Sequence, residues 1–397
     1  MASLSLLNQR PQVSSDSYPV VNEFVLKLAS RCNIQCTYCY WFEDPLVLKS
    51  PKFLSDANLE LFLKKLEKHI HRYSLDKVSI AFHGGEPTLY PLTKFQQLCQ
   101  QLRDIENQSQ CKVQLSMQSN ALLINDDWIK VIKQYGIRLG VSLDGSKLVH
   151  DQYRIDARGR GTFKRTTDQI EYLKHNAIDV YLLSVASPEV SAREQMALFV
   201  DHLNIKDFDI LIPHQHHDNA HSHEQTSISD YYVELFDLYL DRYLDLGVNI
   251  RLLDGIMCQL VGGKSSIQGY GFISTVTLLT DGHLEATDDL RMIKNLPVSK
   301  IHITSHQLQQ VTEDPLWQSV YSSSINLAPK CEQCEFKFTC GAGPMVTRWS
   351  NTNQFNNPSV FCEDFISLFK HINQRLEPYY QLRKIKTNHH NKALITA

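Results

Sequence analysis

The chain has 397 residues, 43% hydrophobic and 21% charged, enough to bury one large core and a smaller appended unit. Its formal net charge of -3, with 40 basic and 43 acidic residues interspersed, offers no basic stripe for a phosphate backbone, so nucleic acid is not an expected partner. No apolar run approaches the roughly 18 residues that span a bilayer, and MASLSLLNQRPQVSSDSYPV lacks a cationic start followed by an apolar secretory core; no membrane partner and a cytoplasmic location are expected.

Residues 1–22 read as an N-terminal extension. EFVLKLA (23–29), KVSIAFH (77–83), KVQLSMQ (112–118), IRLGVSL (137–143), DVYLLSV (179–185) and DFDILIP (207–213) have strand composition. Helical patterns lie between them. One follows a Ser55 cap with Leu59, Phe62, Leu63, Leu66 and Ile70 in a single stripe, and others cover about 92–107, 126–135, 164–176 and 190–203. Six strand-helix repeats over 23–225 predict an α/β fold, a parallel sheet with helices outside it, either curved like part of a barrel or open. Ligands of such sheets sit at the carboxyl ends of the strands. Beyond 226 the pattern predicts a helical bridge over 226–270, a hairpin around Asp281-Gly282, and an amphipathic stretch over 363–384 that closes a second unit spanning 271–384. The polar end, 385–397, reads as a frayed tail.

Ten cysteines in a large chain without a secretory signal point to metal or redox chemistry rather than disulfides. Cys99, Cys111 and Cys258 are scattered through apolar or helical contexts and read as small buried hydrophobes. Cys32, Cys36 and Cys39 fall just past the first strand, and thiolates at that spacing can converge on zinc, copper(I) or an iron-sulfur cluster. A structural zinc site wants four protein ligands, whereas three thiols on a cubane leave one iron open.

CxxxCxxC after a first strand resembles the signature of the radical S-adenosylmethionine (SAM) superfamily. The resemblance implies a partial (β/α)6 barrel, a [4Fe-4S] cluster on the three cysteines, and SAM chelated to the open iron and cleaved by one electron to a 5'-deoxyadenosyl radical. Tyr38 matches the aromatic that precedes the last cysteine of the motif. Gly84, Gly85, Glu86 and Pro87 in FHGGEP look like the SAM-binding turn, where two glycines allow close backbone approach and a carboxylate accepts from a cationic amine. QSN (118–120), SLDG (142–145) and HDQYR (150–154) resemble strand ends of SAM-dependent peptide maturases. By that likeness Gln118 belongs to the SAM site, Ser142 bonds the ribose and Arg154 the carboxylate. The bland alternatives are a turn at Asp144-Gly145 and a surface ion pair for Arg154.

Cys331, Cys334, Cys340 and Cys362 could hold zinc by composition alone. Their spacing resembles the second auxiliary [4Fe-4S] site of SPASM domains. Pro344 stands where a complete SPASM domain has a further cysteine, and the hairpin has none beside it, so one auxiliary cluster is expected. That pattern departs from an anaerobic sulfatase maturase and looks most like the FxsB, GrrM and Xye group, which includes enzymes forming three-residue cyclophanes. The implied function is abstraction of a side-chain Cβ hydrogen from a ribosomally made precursor peptide and closure of a C-C bond onto an aromatic ring. The expected partners are that peptide and an electron donor such as flavodoxin or ferredoxin. Asp288 and Asp289, after the hairpin, are candidate bases or turn caps. The tract PHQHHDNAHSH (213–223) reads as a substrate-facing or solvated loop. Other radical SAM outcomes (epimerisation, thioether or formylglycine formation) and a non-catalytic zinc or electron-transfer protein are the alternatives.

Overall fold

The computed structural model describes residues 18–395 except 188, 221–226, 266–268, 272–274, 295 and 297, with side chains through 379. Among these residues the strands in chain order are β1 (Glu23–Ala29), β2 (Ile34–Cys36), β3 (Lys77–Gly84), β4 (Lys112–Ser119), β5 (Arg138–Ser142), β6 (Arg154–Asp156), β7 (Val180–Val185), β8 (Asp207–Leu211), β9 (Asn249–Ile250), β10 (Thr275–Leu278) and β11 (Leu284–Glu285). Nine of them form one sheet in the order β11-β10-β1-β3-β4-β5-β7-β8-β9, parallel throughout except for the β10-β11 pair. β2 and β6 form a separate antiparallel ribbon.

Alternation along each strand separates two faces. In β3, Val78, Ile80 and Phe82 are buried beneath helices, while Ser79, Ala81 and His83 are half-buried on the other face. Aromatic contacts tie sheet to helices: Phe24 meets Phe62 at 5.6 Å between ring centroids, Phe82 meets Phe95 at 4.8 Å, and Phe95 meets Trp128 at 5.0 Å. The helix Asp56–Tyr73 begins where expected. Ser55 Oγ accepts from Asn58 N at 3.2 Å, and Leu59, Phe62, Leu63, Leu66 and Ile70 are all buried. The parallel α/β architecture read from the pattern is the one observed.

The second half of the chain is built onto this sheet. The hairpin turns at Asp281-Gly282, where Gly282 takes the left-handed φ of 99° that favours glycine. β10 then lies parallel to β1, with Glu23 opposite Thr275 and Leu26 opposite Leu278. The turn Asp288–Met292 is thereby carried to the helical turn Tyr40–Glu43 that follows the first cysteines. One hydrophobic core runs from Val21 through the helices to Phe369 and Leu376. The closing helix, Cys362–Ile395, packs on Ser229–Leu238 and is pinned by His371 and Arg375 to Asp237. Its backbone continues past residue 384, where the amphipathic pattern ends, because extending a formed helix is cheap compared with starting one.

Candidate active site

Past Ala29 the chain turns into the loop that carries Cys32, Cys36 and Cys39. Arg31 clamps that loop, donating to Ser30 Oγ (2.6 Å), Val47 O (3.1 Å) and Leu48 O (2.6 Å). The end of β3 presses on the same backbone. A side-chain carbon on Gly84 would stand 2.3 Å from the Ala29 carbonyl oxygen, and one on Gly85 2.4 Å from that of Arg31. The two glycines therefore serve close approach to the cysteine loop itself. Cys36 ends β2 opposite Arg154 of β6, and Cys39 N donates to Cys36 O at 3.1 Å. Burial pushes the Cys32 thiol up to about 12, and Glu86, Cys36 and Cys39 add to the rise. Burial likewise pushes Cys36 up to about 11 against the pull of Arg154, and raises Cys39. Three thiols on one partly buried loop are the soft donors that an iron-sulfur cluster takes.

Around this loop the residues expected to bind SAM are held by the chain's own hydrogen bonds. Glu86 is buried and accepts from Thr88 N (3.0 Å), Thr88 Oγ1 (2.5 Å), Ser119 Oγ (2.7 Å) and Asn120 N (2.9 Å). Pro87 opens the short turn Pro87–Leu89 that the Glu86 side chain caps. Gln118 donates to Ser142 Oγ across β4 and β5 at 2.9 Å. Arg154 is nine-tenths buried and donates to the Tyr38 hydroxyl at 2.8 Å; that hydroxyl donates to Asp144. The surface ion pair considered for Arg154 is thus a buried triad.

His150 fixes this triad. Thr162 Oγ1 donates to Arg154 O at 2.8 Å, so it accepts from His150 Nε2 at 3.0 Å, and Nδ1 accepts from Asp144 N at 3.3 Å. Burial, reinforced by the Arg154 charge, holds His150 down at about 3.

At the mouth of the sheet stands a cluster that sequence reasoning only half found. Lys27 of β1, fully buried, lies in register with His83 of β3. It bonds Asp288, approaches His83 Nδ1 at 3.0 Å and Tyr40 Oη at 3.4 Å, and sits 4.2 Å from the Trp41 ring centroid. Tyr40 donates to the same Asp288 oxygen, Oδ2, at 2.5 Å. Burial draws Lys27 down while Asp288 opposes it; burial would raise Asp288, but Lys27 and His83 hold it well below the usual carboxylate range. These directions favour opposite protonation states. The ion pair is the state we adopt, because every lysine N–H has an acceptor and the charge faces an aromatic ring. His83 is kept neutral at about 4 by burial and by Lys27. Asp289 accepts from Thr287 Oγ1, and burial raises its carboxyl although the nearby His214 opposes the rise. The Lys27 signal was one lysine near the carboxyl end of an apolar strand, three residues before the cysteine loop.

Of the histidine tract, His214 stacks edge-on to Tyr40 at 5.4 Å, and His217 binds Trp349 O and Pro358 O, both at 2.9 Å. His221 and His223 lie outside the described residues. In the C-terminal unit, Cys331, Cys334, Cys340 and Cys362 all line one cavity of about 390 Å³. Among the described residues no three His, Cys, Asp or Glu side chains close on a single metal ion, here or at the first cysteine loop. A [4Fe-4S] cluster fits both the space and the donor set. Cys99 and Cys111 are buried, as expected of small hydrophobes, and Cys258 is half-buried.

Comparison with known proteins agrees with this geometry. Residues 26–200 match the family model described as the Radical SAM superfamily. The chain is 25% identical over 354 residues to a cysteine-type anaerobic sulfatase-maturating enzyme of Clostridium novyi, covering 86% of this chain and 92% of that protein. It is 23% identical over 366 residues to an uncharacterized protein of Synechocystis, covering 87% and 89%. Among solved structures, native anSMEcpe with bound AdoMet and the Cp18Cys peptide superposes with a TM-score of 0.77 at 23% identity, over 89% of this chain and 97% of that one. SuiB of Streptococcus suis bound to S-adenosylmethionine gives 0.55 at 15% identity, over 82% and 71%. Residues 26–200 thus carry the radical SAM superfamily match, and the fold is the radical SAM α/β fold.

Proposed function

We propose that this radical SAM enzyme oxidises a side-chain Cβ of a ribosomally made precursor peptide and joins it to a nearby aromatic ring. The observation that carries the reading is the pairing of a three-thiol loop at the strand ends with a four-thiol cavity in the C-terminal unit. Cys32, Cys36 and Cys39 hold the SAM cluster. Tyr38, Gly84, Gly85, Glu86, Pro87, Gln118, Ser142 and Arg154 shape the SAM seat, largely by orienting one another and the cysteine loop. What bound SAM and its cluster supply there is a hydrogen-abstracting 5'-deoxyadenosyl radical, at the expense of one electron from a flavodoxin or ferredoxin.

Restoring the aromatic ring after bond formation releases one proton and one electron. Asp289, whose carboxyl is raised by burial, is the stronger base of the two candidates for that proton; Asp288, bonded by Lys27 and Tyr40 and held well below the usual range, is the weaker. Cys331, Cys334, Cys340 and Cys362 would hold an auxiliary cluster, which would supply an acceptor for that electron. No described helix is long and apolar enough to cross a membrane, and ten free cysteines suit a reducing cytoplasm.

Formylglycine synthesis is the second reading, favoured by sulfatase-maturating relatives that align over nearly their whole length. It shares the Cβ abstraction. Mass spectrometry of a small peptide encoded beside this gene, after reaction with the reconstituted enzyme, separates the two. Loss of two hydrogens confined to a three-residue segment with an aromatic supports the crosslink. A hydrazine-reactive aldehyde at a Cys or Ser position supports formylglycine, and inversion to a D residue at unchanged mass refutes both.

A further inference from the structure

Arg348 is 5% exposed, and every hydrogen bond of its guanidinium goes to a backbone carbonyl: Gly343 O from Nε at 3.0 Å and Nη2 at 2.6 Å, Ser323 O from Nη1 at 2.9 Å, and Gly341 O from Nη2. Among the described residues no carboxylate pairs with it. Burying a cation without an anion is costly, and folded chains rarely keep one. Gly341 and Gly343 both adopt left-handed conformations, at φ 56° and 84°, and flank Ala342, which lines the four-thiol cavity. Arg348 therefore braces the wall of that cavity from behind. Gly341 directly follows Cys340, so the guanidinium is bonded to the backbone one residue from a thiol of the cavity.

We propose that Arg348 is the counter-cation of the auxiliary cluster held by Cys331, Cys334, Cys340 and Cys362, and that its charge raises the potential at which that cluster accepts an electron. The inference rests on the reading that the four thiols hold a [4Fe-4S] cluster. Four thiolates around such a cluster leave it net negative, and reduction adds another negative charge. A fixed cation in a poorly solvated wall favours both states, the reduced one more. This assists the single electron that must leave the substrate.

The test uses the full-length, anaerobically reconstituted protein with SAM present, so that the SAM-bound cluster is recognised by its own signal and serves as internal control. Arg348→Met and Arg348→Lys are compared with wild type by EPR-monitored redox titration and iron analysis. The Met variant is expected to show a tenfold or greater drop in the reduced-to-oxidised ratio of the auxiliary cluster at fixed potential, a shift of about 59 mV for one electron, while the Lys variant stays near wild type. Loss of the auxiliary iron in the Met variant but not the Lys variant also supports the proposal. An unchanged potential in a fully loaded Met variant overturns it, as does equal loss of iron from both variants, which would make Arg348 a carbonyl brace only. If wild type assembles no second cluster, the cofactor reading itself fails and this inference with it.

Discussion

His150 has no room for a second ring proton. Its Nδ1 is occupied by the Asp144 N–H and its Nε2–H by Thr162, so protonation would set one N–H against another. Its folded pKa, held at about 3 by burial and by Arg154, lies below the ordinary 6.5, so the unfolded chain binds the extra proton first as pH falls. Stability is therefore lost as pH drops below about 6.5, by about 2 kcal/mol between pH 6.5 and 5 from this residue. Denaturant titrations of wild type and His150→Gln across that range check it: the variant should be less stable at pH 7.5 but show a shallower slope. Lys27 makes the second residue-scale prediction. Lys27→Met strands the buried Asp288 carboxylate and should cost roughly 3–5 kcal/mol, part of which the double change with Asp288→Asn should recover in apparent unfolding free energy. Asp288 was legible from its place after the hairpin. Its partners were not, because a lysine in an apolar strand looks the same whether its stem merely covers apolar surface or its ammonium is fully enclosed.

The strands and helices of the first half were legible because each buries one face and the alternation is written in the residues: Val78, Ile80 and Phe82 against Ser79, Ala81 and His83. The C-terminal hairpin was legible as a hairpin at Asp281-Gly282, but its addition to the edge of β1 was not, since that pairing depends on backbone hydrogen bonds between segments some 250 residues apart. The strand-to-loop junction is the element on which the site turns. Gly85→Ala should push the Arg31 carbonyl, 2.4 Å from the new carbon, and with it the Cys32 backbone. Iron analysis should then find about half the wild-type content, the auxiliary cluster remaining. Retention of both clusters in the Ala variant would show that the cysteine loop tolerates displacement.

Across the whole molecule, one continuous core joins the sheet to the cysteine-rich unit, and the turn bearing Asp288 reaches Lys27 and Tyr40 because β10 extends the sheet beside β1. The His217 contacts to Trp349 and Pro358 add a second tie between the last sheet loop and the segment leading to Cys362. On the proposed function, the three-thiol loop and the four-thiol cavity belong to a single folded body. All of this depends on an iron atom left open by Cys32, Cys36 and Cys39 and taken by SAM. EPR of the dithionite-reduced, oxygen-free protein before and after SAM addition tests that most directly. One of two cluster signals is expected to change on addition, the change to be lost in Cys36→Ala, and 5'-deoxyadenosine to appear. Spectra identical with and without SAM, and no 5'-deoxyadenosine, would contradict it.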